Sequence, residues 1–427
     1  MQLQVLASTC PGYNLPIDDA MILIGQEANI CYMKGDIQTI LSEPAQKSLD
    51  RAKKTIANGH HSVADHVYYC LSFEGMPKIG AMLLNNGGVY ATSEKSGRFT
   101  QMQPDPVEEK YYLEWINILK DVIMRQYPQM SEMTATKRAQ ENARYFISVF
   151  TPATSMGHTL NLRRINYTIG YCDNLIAMET ENPFLIKLKP VLVQLRDSLM
   201  PFNVPELRDD KAYIFSFLDF DPKDPAIPEL REWLMKPADA REPLDFDFLG
   251  EKKGYGFTLF ARRKRQENFG ESFCINSTGT FTMFAQLQRH RFMMLDEFTI
   301  PDPNNCNFFR PAFIEDPALQ AKWDTEIRSL AERFPQGMML DICSMGCVDS
   351  FIRMSLERLC GAAQYEICMW TNENLKRLIS GCIETNSVGA AYDLMRLQQR
   401  GAKCQFGNYL CANPCPFGPN GAFDRLI

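Results

Sequence analysis

The chain has 427 residues, 45% of them hydrophobic and 22% charged, and a formal net charge of −6. Those values belong to a globular protein with a packed core, and at this length two domains of roughly 200 residues are expected. The acidic balance excludes a general nucleic-acid binder, which needs a broad basic face. A small anionic ligand held by a few arginines remains compatible with it.

The start, Met1-Gln2-Leu3-Gln4-Val5-Leu6, lacks the basic residues and apolar run of a secretion signal. No apolar stretch is long enough to span a bilayer, so the expected location is cytoplasmic, with no membrane partner. The 14 cysteines are scattered without small-scaffold spacing, and free thiols are expected.

In chain order, a helix is predicted from about Lys47 to Ala57, stopped by Asn58-Gly59. Tyr68 to Phe73 reads as a strand. Apolar residues at helical spacing predict a helix over Glu108–Arg125, and another over Thr136–Phe146 before Thr151-Pro152. Residues 209–243 are acidic and proline-rich and read as a solvated connection between units 1–208 and 244–427. In the second unit Gly256–Phe260 is strand-like and Ala318–Phe334 helical, with a loop at Pro301–Asn305. Phe284 and Ala285 before Gln286 predict a half-buried strand. The stretch Leu356–Ile367 reads as one helix, with Leu356, Leu359, Ala363 and Ile367 on one face and Arg358, Ala362 and Tyr365 on another.

Four segments carry chemistry. Glu94-Lys95-Ser96-Gly97-Arg98 offers a hydroxyl, a glycine N–H and a guanidinium within three residues, a compact cradle for a phosphate monoester. Taken alone it reads more readily as an ordinary polar turn ending in a surface arginine. Arg289-His290-Arg291, preceded by Gln286, places two fixed cations and a histidine on one short segment, suited to a diphosphate or an anionic ring. Its alternative is a basic surface strand. Arg358 has Gly361 and Ala362 nearby, which leave room for a flat ligand; the competing reading is an exposed arginine paired to Glu357 or Glu366. Asn58–His66 holds three of the five histidines, but a metal at His61, Asp65 and His66 lacks a further ligand, and no metal is expected. Cys404, Cys411 and Cys415 lack the paired close spacing of a zinc ribbon and read as free thiols.

Together these residues resemble the flavin-dependent thymidylate synthases, the ThyX family. The resemblance runs through Gly59-His60-His61-Ser62, Glu94 to Phe99, Asn142-Ala143-Arg144 and Asn161-Leu162-Arg163, then Gln286 to Arg291 and Arg358 to Ile367. It implies an α+β fold of two tandem ThyX-like units, a diverged duplication forming a pseudo-dimer. At the family's spacing, the basic triplet before Glu94 falls on Asn86-Gly87-Gly88. The loop glutamate after Arg289 falls on Glu297, followed by Thr299 and Pro301, and the catalytic arginine falls on Cys172 in the first unit and Arg358 in the second. Each unit keeps what the other has lost.

Because the family's site lies between subunits, the resemblance implies one live site between the units. Arg358 is then catalytic, and Glu94, Ser96, Gly97, Arg98, Gln286, Arg289 and Arg144 bind substrate, although the family's counterpart of Arg144 comes from the subunit that carries the catalytic arginine. His60, Ser62, Glu94, Arg289, His290, Arg291, Asn161 and Arg163 would hold FAD. The implied reaction is methylation at C5 of a pyrimidine nucleoside monophosphate, most simply dUMP to dTMP, with methylenetetrahydrofolate and NADPH as co-substrates. The implied assembly is a homodimer, a pseudo-tetramer. Alternatives are a relative using another one-carbon group or nucleotide, and a degenerate, non-catalytic nucleotide- or flavin-binding protein.

Overall fold

The computed structural model describes residues 1–10, 17–30, 36–85, 90–208, 272–290, 295–407, 409–411, 414–418 and 421–427. It is a mixed helix and sheet protein. The connection 209–243, the segment Gly256–Phe260, Asn86-Gly87-Gly88 and Arg291 lie outside the described residues.

Among the described residues, two antiparallel sheets carry the architecture. The first has strands β1 (Gln2–Ser8), β2 (Tyr68–Met76), β3 (Ala91–Glu94) and β4 (Thr154–Asn161), in the order β1-β2-β4-β3. The second has β5 (Ser272–Thr280), β6 (Leu295–Phe298) and β7 (Met339–Cys347), in the order β5-β7-β6. The β2-β4-β3 and β5-β7-β6 arrangements repeat in register. Tyr68 pairs with Asn161 as Ser272 pairs with Cys347, and Glu94 pairs with Met156 as Phe298 pairs with Ile342. A helix leaves β4 at Leu162–Ala177 and another leaves β7 at Val348–Arg358. Followed along these helices, Cys172 stands eleven residues past Asn161, and Arg358 eleven past Cys347. The register gives Phe298, not Glu297, the place that Glu94 has in the first sheet.

Local chemistry explains the helix ends. Asp105 accepts from the N–H groups of Val107 and Glu108, and Pro106 opens the helix Pro106–Gln126, where its missing N–H would have had no partner. The helix Ala45–Ala57 stops at Asn58, followed by Gly59 at φ +86°, a left-handed turn that glycine enters without strain. The predicted helix over Thr136–Phe146 is Glu132–Ala143 followed by a tighter turn, Arg144–Phe146.

Three expectations are corrected. Phe284 to Gln286 lie on a helix, Phe281–Leu287, rather than a strand; Thr280 caps it by accepting from the Met283 N–H. The helix predicted over Ala318–Phe334 ends at Arg328, and Phe334 sits at φ 54°. Leu356–Ile367 is not one helix. The first ends at Arg358 and the next, Tyr365–Glu384, begins after a loop containing Gly361, so Arg358 stands at a C-terminus. The apolar spacing across the break arises because both helices turn their apolar sides to one core.

That core is continuous between the sheets. Leu71 and Phe73 of β2 belong to the same buried cluster as Phe281, Phe284 and Ile342. Phe184 stacks parallel to Phe281 at 6.0 Å and meets Phe334 edge-on at 5.2 Å. A second cluster joins Trp115 and Phe146 to Trp323. Between them two backbone segments are laced together: Gln336 N donates to Ile147 O, Gly337 N to Tyr145 O and Val149 N to Phe334 O. The two sheets are thus held at fixed separation, and the rigidity of a close-packed interior is what fixes a site formed between them.

Candidate functional site

A cavity of about 260 Å³ lies between the two sheets. The turn after β3 forms one wall, with Glu94, Ser96, Gly97 and Arg98. The opposite wall is the helix Phe281–Leu287 and its exit, with Thr282, Ala285, Gln286 and Arg289, together with Arg358. The positions 282, 285, 286 and 289 are successive members of one helical stripe, a signal visible only once the segment is read as a helix. Lys78, Arg144, Thr154 and Gln336 complete the lining.

Each wall is held by its own bonds. The Ser96 carbonyl accepts from Phe99 N and Thr100 N, closing the turn. At Gly97 a Cβ would stand 3.3 Å from the Arg144 Cδ and the Met102 Sδ, so glycine is what lets Arg144 approach. Glu94 accepts from Lys78 Nζ at 2.8 and 2.9 Å and from Thr154 Oγ1 at 3.1 Å. Lys78 is a cavity residue that the sequence reading missed, because it lies sixteen positions from its carboxylate on another element.

Arg98 donates from Nε to Glu141 at 2.7 Å and from Nη1 to the Ala362 carbonyl. Arg138 donates to the other Glu141 oxygen at 2.9 Å and to the Gly361 carbonyl at 2.9 Å. Burial alone would raise the Glu141 carboxyl, but the charges of Arg98, Arg138 and Arg144 outweigh it and hold it at about 2. The cradle arginine is therefore fastened to the loop that follows Arg358.

Arg358 is neither exposed nor paired to Glu357 or Glu366. Its Nε donates to His290 Nε2 at 2.7 Å and its Nη2 to the Gln286 carbonyl at 3.1 Å. Burial, together with Arg98 and Arg289, lowers its pKa to about 10, which leaves it charged at neutral pH. Burial and the charges of Arg358 and Arg289 push His290 down to about 3, so its ring is neutral.

Arg144 lines the cavity, so the family-based assignment of its counterpart to the other subunit does not describe its position here. Its Nη2 donates to Gln364, while its Nε is buried without a partner among the described residues. A buried donor left open beside a cavity is available to a ligand's acceptor atom.

The remaining candidates are not brought to this cavity. His60 and Ser62 are exposed, on the turn after the helix Ala45–Ala57. Asn161 donates to Asp65 at 2.9 Å, and Arg163 pairs with Asp65 at 3.3 Å and donates to Tyr167 Oη at 2.9 Å. Among the described flavin candidates, Asn161 and Arg163 therefore gather at Asp65, whereas Glu94 and Arg289 line the cavity. Among the described residues no group of three or more His, Cys, Asp or Glu is arranged to hold a metal ion. Nor is any helix among them long and apolar enough to cross a membrane.

Comparisons with known proteins come from two directions. Residues 17–169 match the family described as thymidylate synthase complementing protein. Among solved structures, Thymidylate Synthase X from Helicobacter pylori, determined with FAD and dUMP, is 15% identical over 49% of this chain and 96% of its own, with a TM-score of 0.29. The UMP/dUMP methylase PolB from Streptomyces cacaoi, bound with 5-Br dUMP, is 11% identical over 51% of this chain and 94% of its own, also at 0.29. No curated protein matches. The strand and turn that carry Glu94, Ser96, Gly97 and Arg98 thus lie within the residues, 17–169, that match the family described as thymidylate synthase complementing protein.

Proposed function

We propose that this chain is a flavin-dependent methyltransferase acting at C5 of a pyrimidine nucleoside monophosphate, with one composite site between its two units. The reaction is most simply dUMP, methylenetetrahydrofolate and NADPH with a proton giving dTMP, tetrahydrofolate and NADP⁺. The observation that carries this reading is the cavity into which Ser96–Arg98 faces Gln286, Arg289 and Arg358. The partner in assembly would be a second copy, giving a homodimer.

The duplication is part of the proposal. Matching registers of the two sheets support it, and they put Cys172 where the second unit has Arg358, and Phe298 where the first has Glu94. Cys172 is fully buried, and burial pushes its thiol up to about 12, which suits a packing residue and not an acid or nucleophile.

The phosphate would rest on Ser96, Gly97 and Arg98, with the open Nε of Arg144 as a further donor. Arg358 would stabilise negative charge on the pyrimidine as its N3 proton is lost; a guanidinium preset by His290 and Gln286 needs no reorganisation to do so. The residues also fit a flavin. Arg289 lines the cavity and makes no hydrogen bond or ion pair among the described residues, leaving its donors for the electron-rich edge of the ring system. When bound, the flavin supplies the hydride that completes the methyl group. Exclusion of water falls to the buried, apolar Met102 and Ala285 at the cavity wall.

The deciding experiment follows tritium release from C5-labelled dUMP with NADPH and methylenetetrahydrofolate, alongside the flavin absorbance of the purified protein. A yellow protein that releases tritium supports the proposal. Release from C5-labelled UMP instead would move the substrate, and a colourless protein with neither activity would overturn it.

A further inference from the structure

Behind the cavity a run of hydrogen bonds has a single allowed direction. It begins at Thr280, whose N–H donates to Glu366 Oε1 at 2.8 Å and whose hydroxyl donates to Oε2 at 2.8 Å. The hydroxyl is committed to that sense because the carboxylate it faces only accepts, while its own oxygen accepts from Met283 N at 3.1 Å as the cap of the next helix. Tyr145 Oη also donates to Glu366 Oε2, at 2.8 Å. A phenol has one hydrogen. With that hydrogen given to Glu366, Tyr145 can only accept from Gln364 Nε2. Gln364 must then turn its amide oxygen the other way, where it accepts from Arg144 Nη2 and Gln286 Nε2.

Both of those donors line the cavity, whereas Gln364, Tyr145 and Glu366 do not. Tyr145 and Gln364 are 0% and 2% exposed, so no solvent molecule replaces a wrongly turned amide. We propose that Glu366 and Tyr145 are positioning residues for the nucleotide site: they set the direction of the Gln364 amide, and through it the placement of Arg144 and Gln286. The inference rests on the reading of this cavity as a nucleotide site.

The direction can be reversed on paper. In Glu366→Gln the backbone N–H of Thr280 still only donates, so the new amide keeps its oxygen there and turns its NH₂ toward Tyr145. The tyrosine hydrogen then goes to Gln364, whose NH₂ is driven against two donors, Arg144 and Gln286. Adding Gln364→Glu restores acceptors at every junction, because the new carboxylate accepts from Tyr145, Arg144 and Gln286 together. The double variant keeps the original net charge and changes volume little.

The experiment is calorimetric titration of dUMP into the wild-type chain, E366Q, Q364E/E366Q and Tyr145→Phe, with thermal midpoints of all four. We expect E366Q to bind dUMP at least about tenfold more weakly, from donors left facing one another in a buried place. The double variant should return to within about threefold of wild type, in affinity and in thermal midpoint. A role in packing alone would give no such rescue. Wild-type affinity in folded E366Q, or a double variant no better than the single one, would overturn the inference. If the wild type binds no dUMP, the nucleotide reading fails instead. The direction of the chain is then judged by the midpoints: a fall in E366Q without recovery in the double variant would overturn it.

Discussion

Arg358 donates from Nε to the Nε2 of His290 at 2.7 Å. A guanidinium has no acceptor, so the imidazole must offer its lone pair on Nε2 and carry its proton on Nδ1. The histidine at the centre of the basic triplet therefore serves as a neutral acceptor that aims an arginine. It adds no charge to the cavity.

Arg358→Ala should remove turnover by about a thousandfold or more, the scale of losing a preset charge stabiliser. Cys172→Ala, in the matching place of the first unit, should leave turnover within about twofold while lowering the melting temperature slightly through a small buried void. Steady-state kinetics on both variants checks the pair. Equal losses would remove the case for one live site.

Glu141 is the only carboxylate that Arg98 and Arg138 share among the described bonds, and its side chain is 2% exposed. Glu141→Gln should destabilise the protein by about 3–5 kcal/mol, because it leaves the buried Arg138 without its counter-charge. Denaturant unfolding measures this. A loss under about 1 kcal/mol would mean that the Gly361 and Ala362 carbonyls suffice for both arginines.

Acid stability should be governed partly by His158, which is 0% exposed, has no partner on either ring nitrogen among the described residues and stacks on Tyr90 at 5.1 Å. Burial and the Arg164 charge depress its pKa to about 4. Between about pH 6.5 and 4 the unfolded chain binds a proton that the folded chain refuses, so stability falls as pH falls through that window. His290 acts in the same sense. His158→Phe should flatten the fall by roughly 3 kcal/mol, from a shift of about 2.5 pH units. An unchanged stability difference between pH 7 and pH 5 would refute it.

Nucleotide binding should also depend on Glu366. Burial raises its carboxyl above the usual value, while Thr280, Tyr145 and the Arg144 charge pull it back. Protonation turns an oxygen of Glu366 into a donor and would reverse the bond direction toward Gln364. Affinity for dUMP should therefore decline toward acid pH more steeply in the wild type than in E366Q, whose amide does not titrate. Parallel profiles from pH 8 to pH 5 would contradict this.

The legible parts of the fold were those with local causes. The helix around Lys47–Ala57, the strand from Tyr68 and the helix Pro106–Gln126 each announce themselves locally, by a stop, an aromatic and apolar run, and apolar residues at helical spacing. Phe281–Leu287 was misread because phenylalanine and threonine favour strands, and the Thr280 cap together with burial on all sides overrode that preference. The break after Arg358 was hidden because two helices feeding one core imitate a single apolar period.

The sequence by itself determined the chemistry available: a serine–glycine–arginine turn, a basic triplet, and an arginine ahead of a small-residue loop, all properties of neighbouring residues. Tertiary structure alone decided which of these share a cavity. It added Lys78, put Arg144 at the cavity wall, sent Asn161 and Arg163 to Asp65, and set the direction of the Gln364 amide. The physical reason is distance along the chain. Guanidinium groups more than two hundred residues apart meet only where strand register and a common core fix their elements, and no short pattern of residues encodes that.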